Sequence, residues 1–288
     1  NNVAAKFKAG KWELQGNVLN TYIHDEEELG IAAKSRSVFT PTLMASFAPL
    51  GDKNLHVRAF YKEIFRNPNF TEQYYYATRP RDIKPEYVKQ YDLGATYARH
   101  FSDVLQYFSI TADAYYNDVD NKILYLPGRS AEIPSVINLG KVDIRGLDVN
   151  MKSLLKFSNK FTGSISAGYT FQKSVDVTDV KDEFYGEQIP YTPEHTLTVN
   201  AGVTYNSISV YYNHILSSLR YYTSNNKPDY LVPGYNISDA SVQYRFKAYK
   251  MPVSLSAEVN NLFNQNYEVV RSYPMPPRSY RLTFQITK

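Results

Sequence analysis

The 288-residue chain contains no cysteine and only five histidines, and each scarcity removes a class of functional site. Without cysteine it can form no disulfide framework, thiolate zinc site, iron–sulfur cluster or thiol nucleophile. The histidines have no histidine partner two or four positions away, so the sequence predicts neither a metal site nor a bound cofactor. Phosphate-binding loops, nucleophile elbows and zinc-protease motifs are also missing, and we expect no enzyme.

Long apolar runs and a strong charge of one sign are absent as well. No stretch of 18 apolar residues occurs, which excludes a transmembrane helix. Lys and Arg number 32 against 28 Asp and Glu, and this small, dispersed excess predicts no nucleic-acid partner. The mean hydropathy of −0.44 is typical of soluble proteins. A membrane β-barrel also has a polar average, because only every second strand residue faces lipid.

The sequence is rich in aromatic residues, with 27 Tyr and 15 Phe, and its apolar residues alternate with polar ones. Residues 160–172, 195–205 and 279–287 follow this period of two throughout. Strands of soluble proteins usually run about 5–6 residues, whereas a tilted membrane strand needs about 9–11. The pattern therefore favours transmembrane strands over its alternative, a soluble β protein with long strands.

The same pattern predicts thirteen strands joined by alternating short and long connections. The strands are expected near 3–8, 12–23, 38–48, 54–64, 86–99, 105–117, 142–157, 160–173, 194–205, 208–217, 236–246, 252–260 and 279–287. Short turns on one rim and long loops on the other are typical of outer-membrane barrels, with the short turns in the periplasm. The sequence thus predicts an all-β, antiparallel, up-and-down transmembrane β-barrel, with outer-surface loops at 65–85, 118–135 and 218–235.

The odd number of strands suggests that more of the barrel lies upstream. Bacterial single-chain outer-membrane barrels have an even number of strands. An unpaired strand edge in hydrocarbon is costly, because its backbone groups find no water. We therefore expect residues 1–288 to be the C-terminal portion of a larger barrel.

Five short motifs occur in a fixed order along the chain. They are Phe65-Arg66-Asn67-Pro68 with Glu72, Pro85-Glu86 with Gly94, Asp113–Asn117 with Asn121, Gly140 with Gly146, and Asn261-Leu262-Phe263 with Tyr267. Together they resemble the motif set of the TonB-dependent outer-membrane receptors, from about Asn54 onward. The chain departs from that pattern at Pro277, where the family often has Gly, and at Lys288, where many members end on an aromatic residue.

The resemblance implies a barrel of 22 strands that encloses an N-terminal plug. Residues 1–288 would supply about 13 of these strands, without the plug domain and the N-terminal strands. It also implies residence in the outer membrane of a Gram-negative bacterium, with membrane lipid, the TonB complex and a metal-chelate ligand as partners. A surface lipoprotein is a further candidate partner.

The implied function is energised uptake of a bulky metal chelate, either cobalamin or a ferric siderophore. A haem receptor and a passive outer-membrane porin are the alternatives. Haem receptors of the family carry a His between the first two motifs, and Arg66 to Lys84 contains none.

Candidate ligand contacts combine arginines with tyrosines in the long loops. Arg offers paired donors for anionic groups, and Tyr offers contact area at a low entropic cost. An interfacial aromatic girdle that contacts lipid headgroups would use the same residue types, so both interpretations stay open. The candidate residues are Tyr74, Tyr75, Tyr76, Arg79, Arg81, Arg129, Arg220, Tyr221, Tyr222 and Tyr230.

Overall fold

The computed structural model describes residues 1–24, 35–50, 54–70, 72, 83–126, 135–249 and 251–286. Thirteen long strands make up most of the structure: β1 Asn2–Ala9, β2 Trp12–Ile23, β3 Arg36–Phe47, β4 Leu55–Arg66, β5 Glu86–His100, β6 Leu105–Leu126, β7 Ser135–Lys156, β8 Phe161–Asp176, β9 His195–Tyr205, β10 Ile208–Ser217, β13 Tyr235–Ala248, β14 Met251–Asn260 and β17 Ser279–Ile286. Four short strands lie in the long connections: β11 Arg220–Tyr221, β12 Leu231–Val232, β15 Glu268–Val270 and β16 Tyr273–Pro274.

The thirteen long strands form one sheet in chain order, with β1 and β17 at its two edges. The register is antiparallel; Ile208, for example, lies opposite Tyr205 on one side and Tyr244 on the other. All thirteen predicted strands are present, and most of their ends differ from the prediction by a few residues at most. The alternation of short turns with long connections is likewise confirmed. No helix in the described part of the chain is long and apolar enough to cross a bilayer.

The bounds of the loop predicted at 118–135 were wrong, because β6 continues to Leu126 and β7 begins at Ser135 instead of near 142; each strand is 22 residues long. Asp118 and Asp120 interrupt the apolar alternation that indicates strands elsewhere in the chain. Strands can pair through their backbones without that alternation where neither face of the sheet contacts lipid. Asn121 takes a positive φ of 55°, and its carbonyl accepts a hydrogen bond from Asn138 Nδ2 at 2.9 Å.

The chain divides into two compact units. The first comprises residues 1–95, 113–145 and 174–186, and the second comprises 96–112, 146–173 and 187–288. In the second unit one face of the sheet is apolar and exposed, and Tyr205, Ile208 and Tyr244 form an in-register row on it. The opposite face is polar, and there Arg281 donates to Glu258 at 2.8 Å. This arrangement matches a barrel wall with one side in lipid and the other facing a wet interior.

The first unit repeats this division of faces. On its polar face the Arg58 guanidinium pairs with the Asp113 carboxylate across strands. A side chain at Gly94 would collide with both groups, so the close approach of this ion pair explains the glycine in the second motif.

Candidate functional site

Three connections at the long-loop end of the second unit carry the described candidate residues. They are 187–193, 218–234 and 261–278, and we call them the loop cluster. The short ladders β11–β12 and β15–β16 order two of them. Arg220, Tyr221, Tyr222 and Tyr230, all predicted as ligand contacts, lie in this cluster.

Arg220 joins two of the three connections. Its guanidinium donates from Nη2 to the carbonyl oxygens of Glu268 at 2.7 Å and Val269 at 2.8 Å, and from Nε to Val269 at 3.2 Å. The guanidinium carbon also lies 5.4 Å from the ring centroid of Tyr235. Arg220 is only 2% exposed, so it fastens residues 268–269 to β11 rather than facing solvent.

The charge of Arg220 is stabilised by dipoles and ring faces. Burial lowers the pKa of its guanidinium, while the neighbouring Tyr235 and Tyr191 act in the opposite direction. Nη1 has no hydrogen-bond partner among the described residues. A buried guanidinium bound to carbonyl oxygens is strongly held, because hydrogen bonds to charged groups are about twice as strong as neutral ones.

Tyr191 and Gln188 attach the third connection, 187–193, to the connection 218–234. The Tyr191 backbone N–H donates to the Tyr221 carbonyl at 2.7 Å, and burial raises the pKa of the Tyr191 hydroxyl. The Gln188 backbone N–H donates to Asn226 Oδ1 at 2.7 Å, and Asn226 Nδ2 returns a bond to the Gln188 carbonyl at 3.0 Å. Main-chain and side-chain hydrogen bonds therefore connect all three segments of the loop cluster.

Arg271, Tyr222 and Tyr230 form the accessible part of the cluster. The Arg271 guanidinium carbon lies 4.1 Å from the Tyr222 ring centroid, and the Tyr230 ring meets Tyr222 edge-on at 5.6 Å. Arg271 is exposed, and no carboxylate of the described residues forms an ion pair with it; its Nη1 donates to the Asp229 carbonyl at 3.4 Å. A guanidinium that lies on an aromatic face without a carboxylate partner can bind an anionic or planar ligand group.

Sequence reasoning missed Arg271, although it assigned Tyr222 and Tyr230. Arg271 stands alone between the closing motif and Tyr273, away from the Arg-Tyr clusters that guided the prediction. A search for any Arg in the same loop as the closing motif would have found it. The remaining predicted contacts lie outside the described residues, and their role stays a prediction: Tyr74, Tyr75, Tyr76, Arg79, Arg81 and Arg129.

The first motif closes the long-loop end of β4. Arg66 Nη2 donates to Glu72 Oε1 at 2.5 Å, and Glu72 Oε2 accepts the Asn69 backbone N–H at 2.7 Å. Burial opposes ionisation of Glu72, but hydrogen bonds from Tyr125, Asn69 and Arg66 outweigh it and lower the pKa of this carboxyl. Pro68 is buried beside this network, and the Phe65 ring lies 5.2 Å from that of Tyr87.

The next motifs join the ends of β5, β6 and β7. Glu86, which follows Pro85, accepts the Ile123 backbone N–H at 2.9 Å, and Lys122 donates to its other oxygen at 3.2 Å. A side chain at Gly140 would collide with Thr178, whose hydroxyl accepts the Lys141 backbone N–H. These motif residues thus have structural partners within the first unit.

The closing motif forms a tight turn after β14. Asn261 is buried with a positive φ of 51°, and its Oδ1 accepts the Gln265 backbone N–H at 2.8 Å. The Leu262 N–H donates to the Ser238 carbonyl at 2.7 Å, while Phe263 is exposed. The Tyr267 ring lies 4.9 Å from that of Tyr235, which places this motif beside Arg220. The described residues contain no group of three His, Cys, Asp or Glu able to hold a metal ion.

Comparison with known proteins relates most of the sheet to one protein family. Residues 5–262 match the family model described as TonB dependent receptor-like, beta-barrel. The vitamin B12 transporter BtuB of Vibrio cholerae serotype O1 is 26% identical over 290 residues, which cover 98% of this chain and 41% of the relative. The BtuB of Vibrio vulnificus is 24% identical over 235 residues, or 80% of this chain and 34% of the relative. The chain thus spans about two fifths or less of these relatives.

Solved structures share the fold. The ferric preacinetobactin receptor BauA of Acinetobacter baumannii superposes with a TM-score of 0.71 at 17% identity, covering 98% of this chain and 42% of that one. The ferric citrate transporter FecA gives a TM-score of 0.70 at 15% identity, with 98% and 44% covered. The predicted transmembrane β-barrel fold is thereby confirmed.

Proposed function

Because the chain belongs to the TonB-dependent receptors, an outer-membrane family of Gram-negative bacteria, we propose that it is the C-terminal barrel portion of a receptor for energised uptake of a bulky metal chelate. Cobalamin and ferric siderophores are the two ligand classes. The plug domain, the N-terminal strands and the segment that engages TonB belong, in this proposal, to the rest of the receptor. A surface lipoprotein partner stays a prediction.

The observation that carries the proposal is the stacking of the exposed Arg271 on the half-buried Tyr222 in the loop cluster. The guanidinium is free of carboxylate partners within the described residues, and the ring supplies a flat, partly apolar surface. Metal chelates of this kind present anionic or amide oxygens around an extended surface, which suits such a pair. The names of the relatives support the same class, since they are a vitamin B12 transporter and two ferric-chelate receptors or transporters.

The loop cluster also has the rigidity that ligand capture requires. Arg220 holds two connections together and Tyr191 holds the third, so Tyr222, Tyr230 and Arg271 keep fixed relative positions. Pre-ordered contacts bind more tightly because less conformational entropy is lost on binding.

Growth of a strain that lacks the full-length receptor tests the proposal. The strain is supplied with cyanocobalamin as its sole cobalamin source, or with single ferric siderophores as its sole iron source, and is complemented with the receptor gene. We expect complemented growth on one of these ligands and binding of it to the purified full-length receptor by calorimetry. Growth on none of them, with binding of haem instead or with passive conductance for small solutes, would contradict the proposal.

A further inference from the structure

An apolar groove of about 950 Å³ runs across the first six strands within the first unit. Its floor is made of small residues, among them Ala5, Ala45, Ala59 and Ala114. Its walls are large apolar and aromatic side chains, which are Phe7, Leu14, Leu43, Tyr61, Tyr91, Leu93 and Tyr116.

The groove lies on the apolar face of the sheet. Phe7, Leu14, Ala45 and Ala59 form one in-register row across β1 to β4, on the face opposite Arg58. The large wall residues are exposed, with Phe7 at 63% and Leu43 at 61%. A large exposed apolar surface of this kind marks an interaction site in any protein, and in an outer-membrane barrel this face meets lipid.

One end of the groove is polar. The Tyr116 hydroxyl donates to Asp143 Oδ1 at 2.9 Å, and the Arg145 guanidinium carbon lies 5.7 Å from the Tyr116 ring centroid. Arg145 is 3.6 Å from Asp143 Oδ2, and its side chain is 72% exposed. This guanidinium therefore has donors available for a further anionic group.

The position of Arg145 along β7 matches the headgroup level. Arg145 precedes the short-turn end of β7 at Lys156 by about 11 residues, which is about 36 Å along a strand and about 26–30 Å of height at a tilt of 35–45°. The apolar band of outer-membrane barrels is about 25 Å tall. Arg145 thus stands at the long-loop boundary of the band, with the groove below it.

We propose that the part of this groove nearest Arg145 binds one acyl chain of a phosphate-bearing lipid in the leaflet on the long-loop side, with the phosphate held by Arg145. This part is lined by Tyr61, Tyr91, Leu93, Ala114 and Tyr116, which lie about 6–11 residues from the short-turn ends of their strands and therefore in the half of the apolar band on the long-loop side. The small side chain of Ala114 admits the chain, and the three tyrosine rings contact it. Arg binds phosphate with paired donors, and the Tyr116 ring beneath orients the guanidinium. The inference depends on the family's membrane location and is independent of which chelate the receptor carries.

Lipid retention by the full-length receptor tests this inference. The receptor is purified from nanodiscs that contain phosphatidylglycerol, and bound lipid is counted by native mass spectrometry. We expect about one retained lipid per receptor, a loss of about tenfold or more in Ala114→Trp, and about a tenfold weaker retention in Arg145→Gln. Val203→Trp, on the exposed apolar face of β9, is the matched control and should retain lipid normally.

The thermal unfolding temperature of each variant is also measured, because a variant that keeps the wild-type temperature but loses lipid has lost the lipid site and not the fold. Equal retention by the wild type, the groove variants and the β9 control would overturn the inference. Retention that falls in Ala114→Trp but is unchanged in Arg145→Gln would overturn the assignment of the phosphate. Dimers of the wild type that dissociate in Ala114→Trp would show that a second protein chain, rather than lipid, occupies the groove.

Discussion

The Glu86 carboxylate accepts a hydrogen bond from the Ile123 backbone N–H at 2.9 Å, although 37 residues separate them in sequence. Glu86 is buried, and Lys122 completes its environment. This contact holds the start of β5 against β6 just after Asn121, whose positive φ turns the backbone toward it. The glutamate of the second motif therefore acts as a tie between strands.

Replacing Glu86 with Ala should lower the stability of the full-length receptor. The Ile123 N–H would lose its acceptor in a buried site, which costs about 1–3 kcal/mol. Thermal unfolding in detergent, followed by circular dichroism, measures the change. Glu258→Ala removes an exposed ion pair and should cost at most about 1 kcal/mol. Equal losses of stability in the two variants would show that the Glu86 hydrogen bond contributes no more than an exposed ion pair.

Arg220→Lys should loosen the loop cluster without unfolding the barrel. Lys keeps the charge but lacks the fork that reaches Glu268 and Val269 together. Loss of charge-assisted bonds worth about 1.5–3 kcal/mol should raise amide exchange in β15 and β16 by about tenfold or more. Hydrogen exchange with mass spectrometry on the full-length receptor measures this. Arg278→Lys, in the same connection but exposed, should leave exchange unchanged, and a matching rise there would disprove the specific role.

Arg271→Ala should weaken binding of the transported chelate with little effect on stability. Removing an exposed guanidinium that stacks on Tyr222 should cost about tenfold in affinity, the range expected for one charge-assisted contact. Calorimetric titration of the full-length receptor measures the dissociation constant. Lys227→Ala removes an exposed cation of the neighbouring connection and serves as control. An affinity that falls only in the control would place the ligand elsewhere.

Cysteine labelling should report the orientation of the sheet. Lys227→Cys lies in a long connection, whereas Tyr249→Cys lies in the short turn after β13, where the native side chain is 97% exposed. A membrane-impermeant maleimide on intact cells should modify the first and spare the second until the outer membrane is permeabilised. The reverse pattern would invert the topology.

The strands could be predicted from sequence because the alternation that identifies each strand lies within the strand itself. Val203 and Tyr205 alternate with Thr204 and its neighbours, and a sheet with one lipid face and one wet face requires that alternation. The extension of β6 past Asp118 could not be predicted, because that part depends on bonds from Asn138 and Glu86 on other strands. Arg220 illustrates the same limit in the loop cluster. Its sequence context indicates a surface cation, whereas its acceptors lie 48 and 49 residues away.

The strands β6 and β7 extend beyond the part of the sheet that faces lipid, on the long-loop side. Leu126 stands about 10 residues beyond Tyr116, which adds about 25 Å of height above the headgroups at the usual rise and tilt. Because the two strands are paired, this extension is stiffer than an unpaired loop of the same length. In the proposed orientation, antibodies, phages and other large particles that approach the cell meet this extension before they meet the bilayer.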